Sequence, residues 1–466
     1  MSTHRTLLAG LLSLALGCSP LLAAETTAQA MPEYMGMLTH AISVETVQGK
    51  DQVPALARYF ADKLEAAGFA KSDFETIPVG NTEALVVRYR GSGNGKPFIV
   101  HGHMDVVPAN AEGWSDHEPF KLVKDGPYYY GRGVADMKDQ TVALVETFMR
   151  LKREGFVPQR DIILALTGDE ETDEFTAEEV AKRYHDAEFA LDADGWSGEY
   201  DANLKPVLFG VVAAEKGYAD FLIAATSPGG HSSEPNPDNA IYKLSVAMQK
   251  IAAYKFPVKY NGITMASFKA MSARMQGPLA DALHRFAEHP GDAKAAAVIS
   301  ADPAYVGQIR TTCVATEFTS GHARNALPEK ATANVNCRIF PGGTVAAVQQ
   351  QLQRAVADPS IKVSVQDPAP VLGPISFPVL PQVMTAVTQA VRQRFPGLEV
   401  IPVMIPASSD SRHFRNHGVP TCGVSPAFAK PGDVHAHGYN ERILATELPA
   451  SLDFWYELLP ALARAK

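Results

Sequence analysis

Basic residues are in deficit in this chain: 42 Lys and Arg stand against 51 Asp and Glu, a formal charge of −9. With no basic run interleaved with aromatics, that balance excludes a nucleic-acid groove as the main site. Low-complexity tracts and internal repeats are also missing, and the composition is that of an ordinary globular protein, 46% hydrophobic and 20% charged. Cysteine is scarce, four in 466 residues. The longest apolar run, Leu7 to Leu16, is too short to span a bilayer.

That run follows His4 and Arg5 and precedes Leu-Leu-Ala-Ala at 21 to 24, the pattern of a signal peptide cleaved after Ala24, residues 1–24. Ala28-Gln-Ala30 offers a second cleavage site. Cys18, after Leu-Ala-Leu-Gly, resembles a weak lipoprotein box and leaves a lipid anchor open. The expected location is therefore periplasmic or secreted, with no transmembrane span in the mature chain. Cys313, Cys337 and Cys422 remain after processing, an odd number that leaves at least one thiol unpaired in an oxidising compartment. Cys313 and Cys337 lie on predicted neighbouring strands and could bridge. Cys422 reads as a small buried residue.

A chain of this length exceeds what one core normally organises, so two domains are expected. Between 50 and 215, helices and strands alternate. Helix-period apolar positions run over 51–67, 139–154 and 176–185, and strands over 84–90, 97–101, 161–167 and 188–192. This order predicts an α/β fold with helices on a mostly parallel sheet, functional residues lying near the strands' carboxyl ends. The texture changes near 216: a strand at 217–226, a helix at 239–254, a less regular stretch at 255–308, paired strands at 309–318 and 330–340, and a helix at 344–356. Helix-strand alternation resumes after the Pro-rich segment 368–381. The domain reading is 31–216 and 368–466 for one catalytic domain, with 217–367 inserted as an α+β domain.

Five short segments carry the chemistry. In Pro-Phe-Ile-Val-His-Gly-His-Met-Asp, 97–105, His103 and Asp105 project to the same side of an extended strand, an imidazole with a carboxylate behind it. In Gly-Arg-Gly-Val-Ala-Asp-Met-Lys-Asp, 131–139, Asp136 stands between a glycine-rich loop and a helix start, where a helix N-cap is the alternative. A dinucleotide loop would need a third glycine. Leu-Ala-Leu-Thr-Gly-Asp-Glu-Glu-Thr, 164–172, runs from apolar strand into three carboxylates, costly unless solvated or shared with a cation. Ala-Leu-Asp-Ala-Asp-Gly-Trp, 190–196, is again acidic at a strand end, and Val-His-Ala-His-Gly-Tyr-Asn-Glu-Arg, 434–442, offers His435 and His437. Two histidines and several carboxylates at element ends fit a binuclear divalent site with mixed N/O ligands.

Taken in order, the five segments make the chain resemble the di-zinc exopeptidases and amidohydrolases that include carboxypeptidase G, carboxypeptidase S, aminoacylase and carnosinase. The Arg310-Thr-Thr segment and the long insert look most like the carboxypeptidase S branch. The resemblance implies His103 and Asp194 on one metal ion, Glu171 and His437 on the other, and Asp136 bridging. Glu170 would be the general base and Asp105 would orient His103. Asp194, beside Gly195, is preferred over Asp192, although the family often has Glu-Gly or Glu-Pro-Thr there. The ions would be zinc, with cobalt or manganese also compatible with the ligands.

The insert adds three candidates by the same resemblance. His231, in Ser-Pro-Gly-Gly-His-Ser-Ser, would steady the substrate carbonyl, often across a homodimer formed through the inserted lid domain. Asn325 would lie at the substrate, and Arg338 would pair with a substrate carboxylate through its fork of N–H donors. Without the resemblance, His231 reads as a turn histidine and Arg338 as a strand residue in a surface ion pair. The expected activity is exopeptidase or dipeptidase hydrolysis of small peptides bearing a free carboxylate. N-acyl-amino-acid amidohydrolysis is the alternative. A non-catalytic exported peptide-binding protein, the third reading, would need neither Glu170 nor a complete ligand set.

Overall fold

The computed structural model describes residues 25–114, 117–195, 197–366 and 377–464. The leader, Cys18 and the expected domain junction at 367/368 lie outside the described residues.

The core of the molecule is a ten-stranded mixed sheet. Its central strands are Arg160–Thr167, Gly95–His103, Ala190–Asp192 and Thr421–Gly423, all parallel to one another. Thr82–Tyr89 and Phe74–Val79 extend one side antiparallel, and Pro206–Glu215 extends the other. Both faces of the centre are covered, so Ile162 to Leu166 is an unbroken buried run rather than an alternating one. The α/β class with a mostly parallel sheet flanked by helices is as the sequence predicts.

The helix Lys138–Arg153 is buried over nearly its whole length, because it lies between the sheet and two further helices, Thr27–Ser43 and Glu447–Arg464. The sequence pattern predicts no element at Thr27–Ser43. Its inner face inserts Tyr34, Met37, Leu38 and Ile42 into the main core, and Lys138 Nζ donates to its Ala41 carbonyl and to Val44, both at 2.8 Å. The second cleavage site, at Ala30, falls inside this helix, and Ala30 is buried. Among the described residues no helix is long and apolar enough to cross a membrane.

A separate antiparallel sheet contains Thr312–Ser320, Lys330–Ile339, Gly217–Thr226 and Lys362–Val365 in that order. Buried and half-buried residues alternate along Gly217–Thr226 and Lys330–Ile339, since the helices Ala240–Ala253 and Val345–Val356 pack against this sheet and complete a core of its own. A disulfide joins Cys313 to Cys337 across directly opposed positions, and Cys422 is free and buried. The stretch expected to be irregular, 255–308, instead carries three helices, Gly262–Ser272, Pro278–Glu288 and Ala293–Ala301. Asn261 and Asp292 cap two of them, Pro278 opens the third, and Phe268, Leu283, Phe286 and Ile299 form their shared core. Each is only 9–11 residues long, which is why the periodicity was too brief to register.

The closing helix is locked to the sheet by one buried carboxylate. Glu447 is fully buried and accepts from both Arg394 nitrogens at 2.7 and 2.8 Å, from the Tyr200 hydroxyl and from the Phe428 N–H at 3.0 Å each. Removing the guanidinium would strand that charge. Arg394→Ala is expected to lower the apparent unfolding free energy in urea by about 3 kcal/mol, and Arg394→Met with Glu447→Gln, which removes the charge but keeps an acceptor for the Phe428 N–H and the Tyr200 hydroxyl, to recover part of the loss. An unchanged urea midpoint in the single variant would show that the pair contributes nothing.

Candidate metal centre

Every candidate ligand sits where a strand or tight loop ends at one edge of the main sheet. Gly95–His103 delivers His103, whose side chain is 1% exposed. Its Nδ1 faces the Asp105 backbone carbonyl at 3.0 Å and the Asp105 carboxylate at 3.5 Å. The carboxylate's nearer partners are the N–H groups of Glu170 and Glu171, at 3.1 and 3.0 Å. Asp105 thus fixes three candidate residues at once: His103 chiefly through its main chain, and the two glutamates through its side chain.

Within the acidic run at 169–171, neighbouring side chains separate. Asp169 accepts from the Phe175 and Thr176 N–H groups and contacts the Thr176 hydroxyl, and so holds the start of the helix Phe175–Arg183. Glu170 turns toward His103, 3.9 Å from its Nε2, whereas Glu171 reaches His437 Nε2 at 2.9 Å. Asp136 lies between the two histidines. One of its oxygens is 3.2 Å from His103 Nε2 and the other 3.1 Å from His437 Nε2. Asp194 joins His103 and Glu170 in a group whose ligand atoms all lie within 4.8 Å, and His103, Asp136 and Glu171 make a second such group. Asp192 is engaged elsewhere, accepting from the Ser409 and Ser411 hydroxyls at 2.7 Å each. His435 also points to other surroundings: it lines an apolar cavity beside the cluster.

Sequence reasoning missed the residue that shapes the Asp136 loop. Glu441 is fully buried and accepts from the N–H groups of Gly133, Ala135 and Asp136 at 3.0–3.1 Å, while Arg132 pairs with it at 2.6 Å. Gly133 takes a positive φ of 83°, and a Cβ there would lie 2.7 Å from Val106, so the loop also needs glycine at that point. Only its place four residues after His437, in a segment already singled out, hinted at Glu441.

The cluster's electrostatics fit a cation. Burial pushes Glu170 and Asp194 well above the usual carboxylate range, the latter further raised by Asp136. Asp136 would also rise on burial, but its bonds to His103 and His437 hold it low. His103 is driven up by Asp105 and Asp136 against the burial that would lower it. So many carboxylates can share this volume only by taking protons or by sharing positive ions. Mixed imidazole and carboxylate donors suit zinc, cobalt or manganese. His103, Asp136, Glu171, Asp194 and His437 would hold two such ions, Asp136 presenting one oxygen toward each side.

The three candidates from the second sheet's domain do not contact this cluster. His231 and Asn325 share an exposed two-stranded ribbon, in which His231 pairs with Ala326 and the Ser232 N–H donates to the Asn325 carbonyl at 3.0 Å. The His231 ring bonds within its own turn, its Nδ1 lying 2.6 Å from the Ser233 hydroxyl and accepting from the Ser233 N–H at 3.2 Å. Arg338 sits opposite Tyr218, its guanidinium 4.9 Å from that ring. Among the described residues no carboxylate forms an ion pair with it.

Residues 99–461 match the family described as Peptidase family M20/M25/M40. The chain is 29% identical over 399 residues to probable carboxypeptidase S-like 2 of Dictyostelium discoideum, covering 81% of this chain and 74% of that protein. It is 28% identical over 379 residues to the N-fatty-acyl-amino acid synthase/hydrolase PM20D1 of Mus musculus, covering 78% and 74%. Among solved structures, the di-peptidase Dug1p from Saccharomyces cerevisiae superposes with a TM-score of 0.69 at 18% identity, over 94% of this chain and 97% of that one.

Asp136 and Glu171 raise His437 to about 10, so at neutral pH it carries a proton that a metal ion must displace. Affinity should therefore climb with pH up to about 10. Titrating zinc at pH 7.5 in buffers of different ionisation enthalpy is expected to report at least one proton released, and fewer in His437→Ala. Proton-free binding would remove His437 from the ligand set.

Proposed function

Because the chain belongs to peptidase family M20/M25/M40, whose members carry out metal-dependent peptide or amide hydrolysis, we propose that it cleaves the amide bond next to a free α-carboxylate in small substrates. The observation that carries this reading is Asp136 set between His103 and His437, one oxygen toward each, with Glu170 and Glu171 diverging from the same strand end.

The two divalent ions, when bound, supply Lewis acidity toward the attacking water and the scissile carbonyl. The chain's residues do the rest. Glu170, whose burial makes it a stronger base than a solvated carboxylate, takes a proton from the attacking water and returns it to the leaving nitrogen as the C–N bond breaks. Asp105 keeps Glu170 and Glu171 in register through their N–H groups and holds the outer nitrogen of His103. Arg338, half-buried over Tyr218, near Asp220 but in ion-pair contact with no carboxylate among the described residues, suits a bidentate grip on the substrate's α-carboxylate.

His231 and Asn325 belong to the same proposal. They lie together and exposed on one ribbon, as residues offered to a partner chain's site in a homodimer would. Location outside the cytoplasm is also part of it, supported by the leader pattern of 1–24 and by the Cys313–Cys337 disulfide. Two substrate types satisfy the clamp, short peptides and N-acyl amino acids. The PM20D1 relative's name favours the second.

Glu170→Gln is expected to keep its metal content and lose at least about a thousandfold in kcat. Near-normal turnover with metal content confirmed would take Glu170 out of the reaction. Arg338→Ala should raise KM at least tenfold for free-carboxylate substrates and leave their methyl esters within about twofold. An equal rise for both would dismiss the clamp.

A further inference from the structure

A cavity of about 710 Å³ opens beside the metal centre, and the mechanism above makes no use of it. Its floor is the outer face of two parallel strands, Pro206–Glu215 and Val400–Ile405, in register with Val403 beside Val212. Leu208, Gly210 and Val212 alternate along the first strand with period two, and a bulge after Val403 lets consecutive residues of the second face the same space. Met271, on the helix Gly262–Ser272, forms the opposite wall, with Ala304 exposed at the lip. The lining is aliphatic over most of its exposed area, with Glu199, Tyr305, Gln308 and Lys430 adding polar groups to its wall.

Two stretches of the cavity wall are chain neighbours of candidate ligands. Ser197 lines it three residues after Asp194, and His435 and Ala436 line it immediately before His437. Three residues of chain reach at most about 11 Å, so parts of the trough wall have their Cα atoms within that distance of those of Asp194 and His437. An aliphatic space of this size, far larger than one amino-acid side chain needs, lies within the range of sites that enclose whole small ligands.

We propose that this cavity is the subsite for the hydrocarbon tail of a long-chain N-acyl amino acid, whose amide reaches the metal centre and whose carboxylate reaches Arg338. The inference rests on the hydrolase reading above and names its acyl side. Hydrolysis would add water across the amide, leaving the fatty acid's carboxylate at the centre with its tail still in the trough, and releasing the free amino acid.

The test uses the zinc-loaded protein on acetyl-, octanoyl- and dodecanoyl-phenylalanine below their micellar concentrations, together with calorimetric binding of octanoate and dodecanoate. Each methylene taken into the trough should strengthen binding by about fourfold at most. The expected result is a kcat/KM at least tenfold higher for dodecanoyl- than for acetyl-phenylalanine. Ala304→Trp, at an exposed lip position, should lower the dodecanoyl value and dodecanoate affinity at least tenfold and leave acetyl turnover within twofold. Met271→Glu, on the half-buried opposite wall, should do the same. A flat or falling chain-length profile, or equal losses for both chain lengths in Ala304→Trp, would overturn the subsite. Brisk dipeptide turnover with that flat profile would sink the subsite and leave the hydrolase intact. Dodecanoate binding abolished by Ala304→Trp, in a protein that hydrolyses nothing, would support the subsite and sink the hydrolase.

Discussion

Everything in this protein turns on a surplus of negative charge in a space with little water. Asp136, Glu170, Glu171 and Asp194 share one small volume with two imidazoles, and that arrangement persists only with protons or positive ions among the oxygens. The rest of the main sheet can be understood as the frame that forces these groups together. Parallel strands bring their carboxyl ends to one edge, so residues near 103, 170 and 194 converge although they come from different crossovers. The loops are then fixed by carboxylates that face away from the centre. Asp105 gathers the 170–171 turn, Asp169 holds the next helix and Glu441 gathers the 133–136 loop. Acids thus play two roles here: some would hold cations, and others hold the backbone that presents them.

That division explains what could and could not be read from the sequence. The candidate ligands announce themselves locally, as a His-x-Asp at a strand end, a lone Asp after a glycine-rich loop, or paired acids after an apolar run. The alternation of elements likewise gave the α/β class. Glu441 and Lys138 gave no such sign. Glu441 acts on residues more than 300 positions away, and the Lys138 ammonium caps the end of a helix about 95 residues upstream. Nothing local separates such an acid or base from a solvated one. The helix Thr27–Ser43 follows directly on a leader-like stretch and contains Pro32, which masked its periodicity. Between 255 and 308, Gly277-Pro278 and Pro290-Gly291 divide the pattern into pieces shorter than the window in which a helical period declares itself.

The placement of His231 and Asn325 on one exposed ribbon is instructive. They are 94 positions apart, yet one short ribbon places them side by side, away from the ligands of their own chain. The resemblance implies that such a histidine often serves the site of a partner copy. Exposure on a paired ribbon is a physical reason to look for that site in a second copy.

How the two sheets are joined sets how a carboxylate clamp could serve the centre. Pro206–Glu215 ends the main sheet and Gly217–Thr226 begins the second, with Lys216 as the single residue between them. Both residues at that link make buried polar contacts. Glu215 is buried, ion-paired with Arg415 at 2.9 Å, and shares the Ser409 hydroxyl with Asp192, two residues before Asp194. Lys216, buried as well, donates to the Arg310 carbonyl and the Thr312 hydroxyl, where the chain enters the second sheet again. Two residues past this junction, Tyr218 stands directly opposite Arg338. The spacing from the Asp194 loop to the guanidinium is therefore governed by a short series of buried, mutually bonded polar groups rather than by a loop. Buried polar networks of this kind are costly to disturb when one member is removed. On the proposed clamp, a substrate whose carboxylate and amide are a fixed few bonds apart would call for such a ruler, and the residues from Asp192 to Arg338 would supply one.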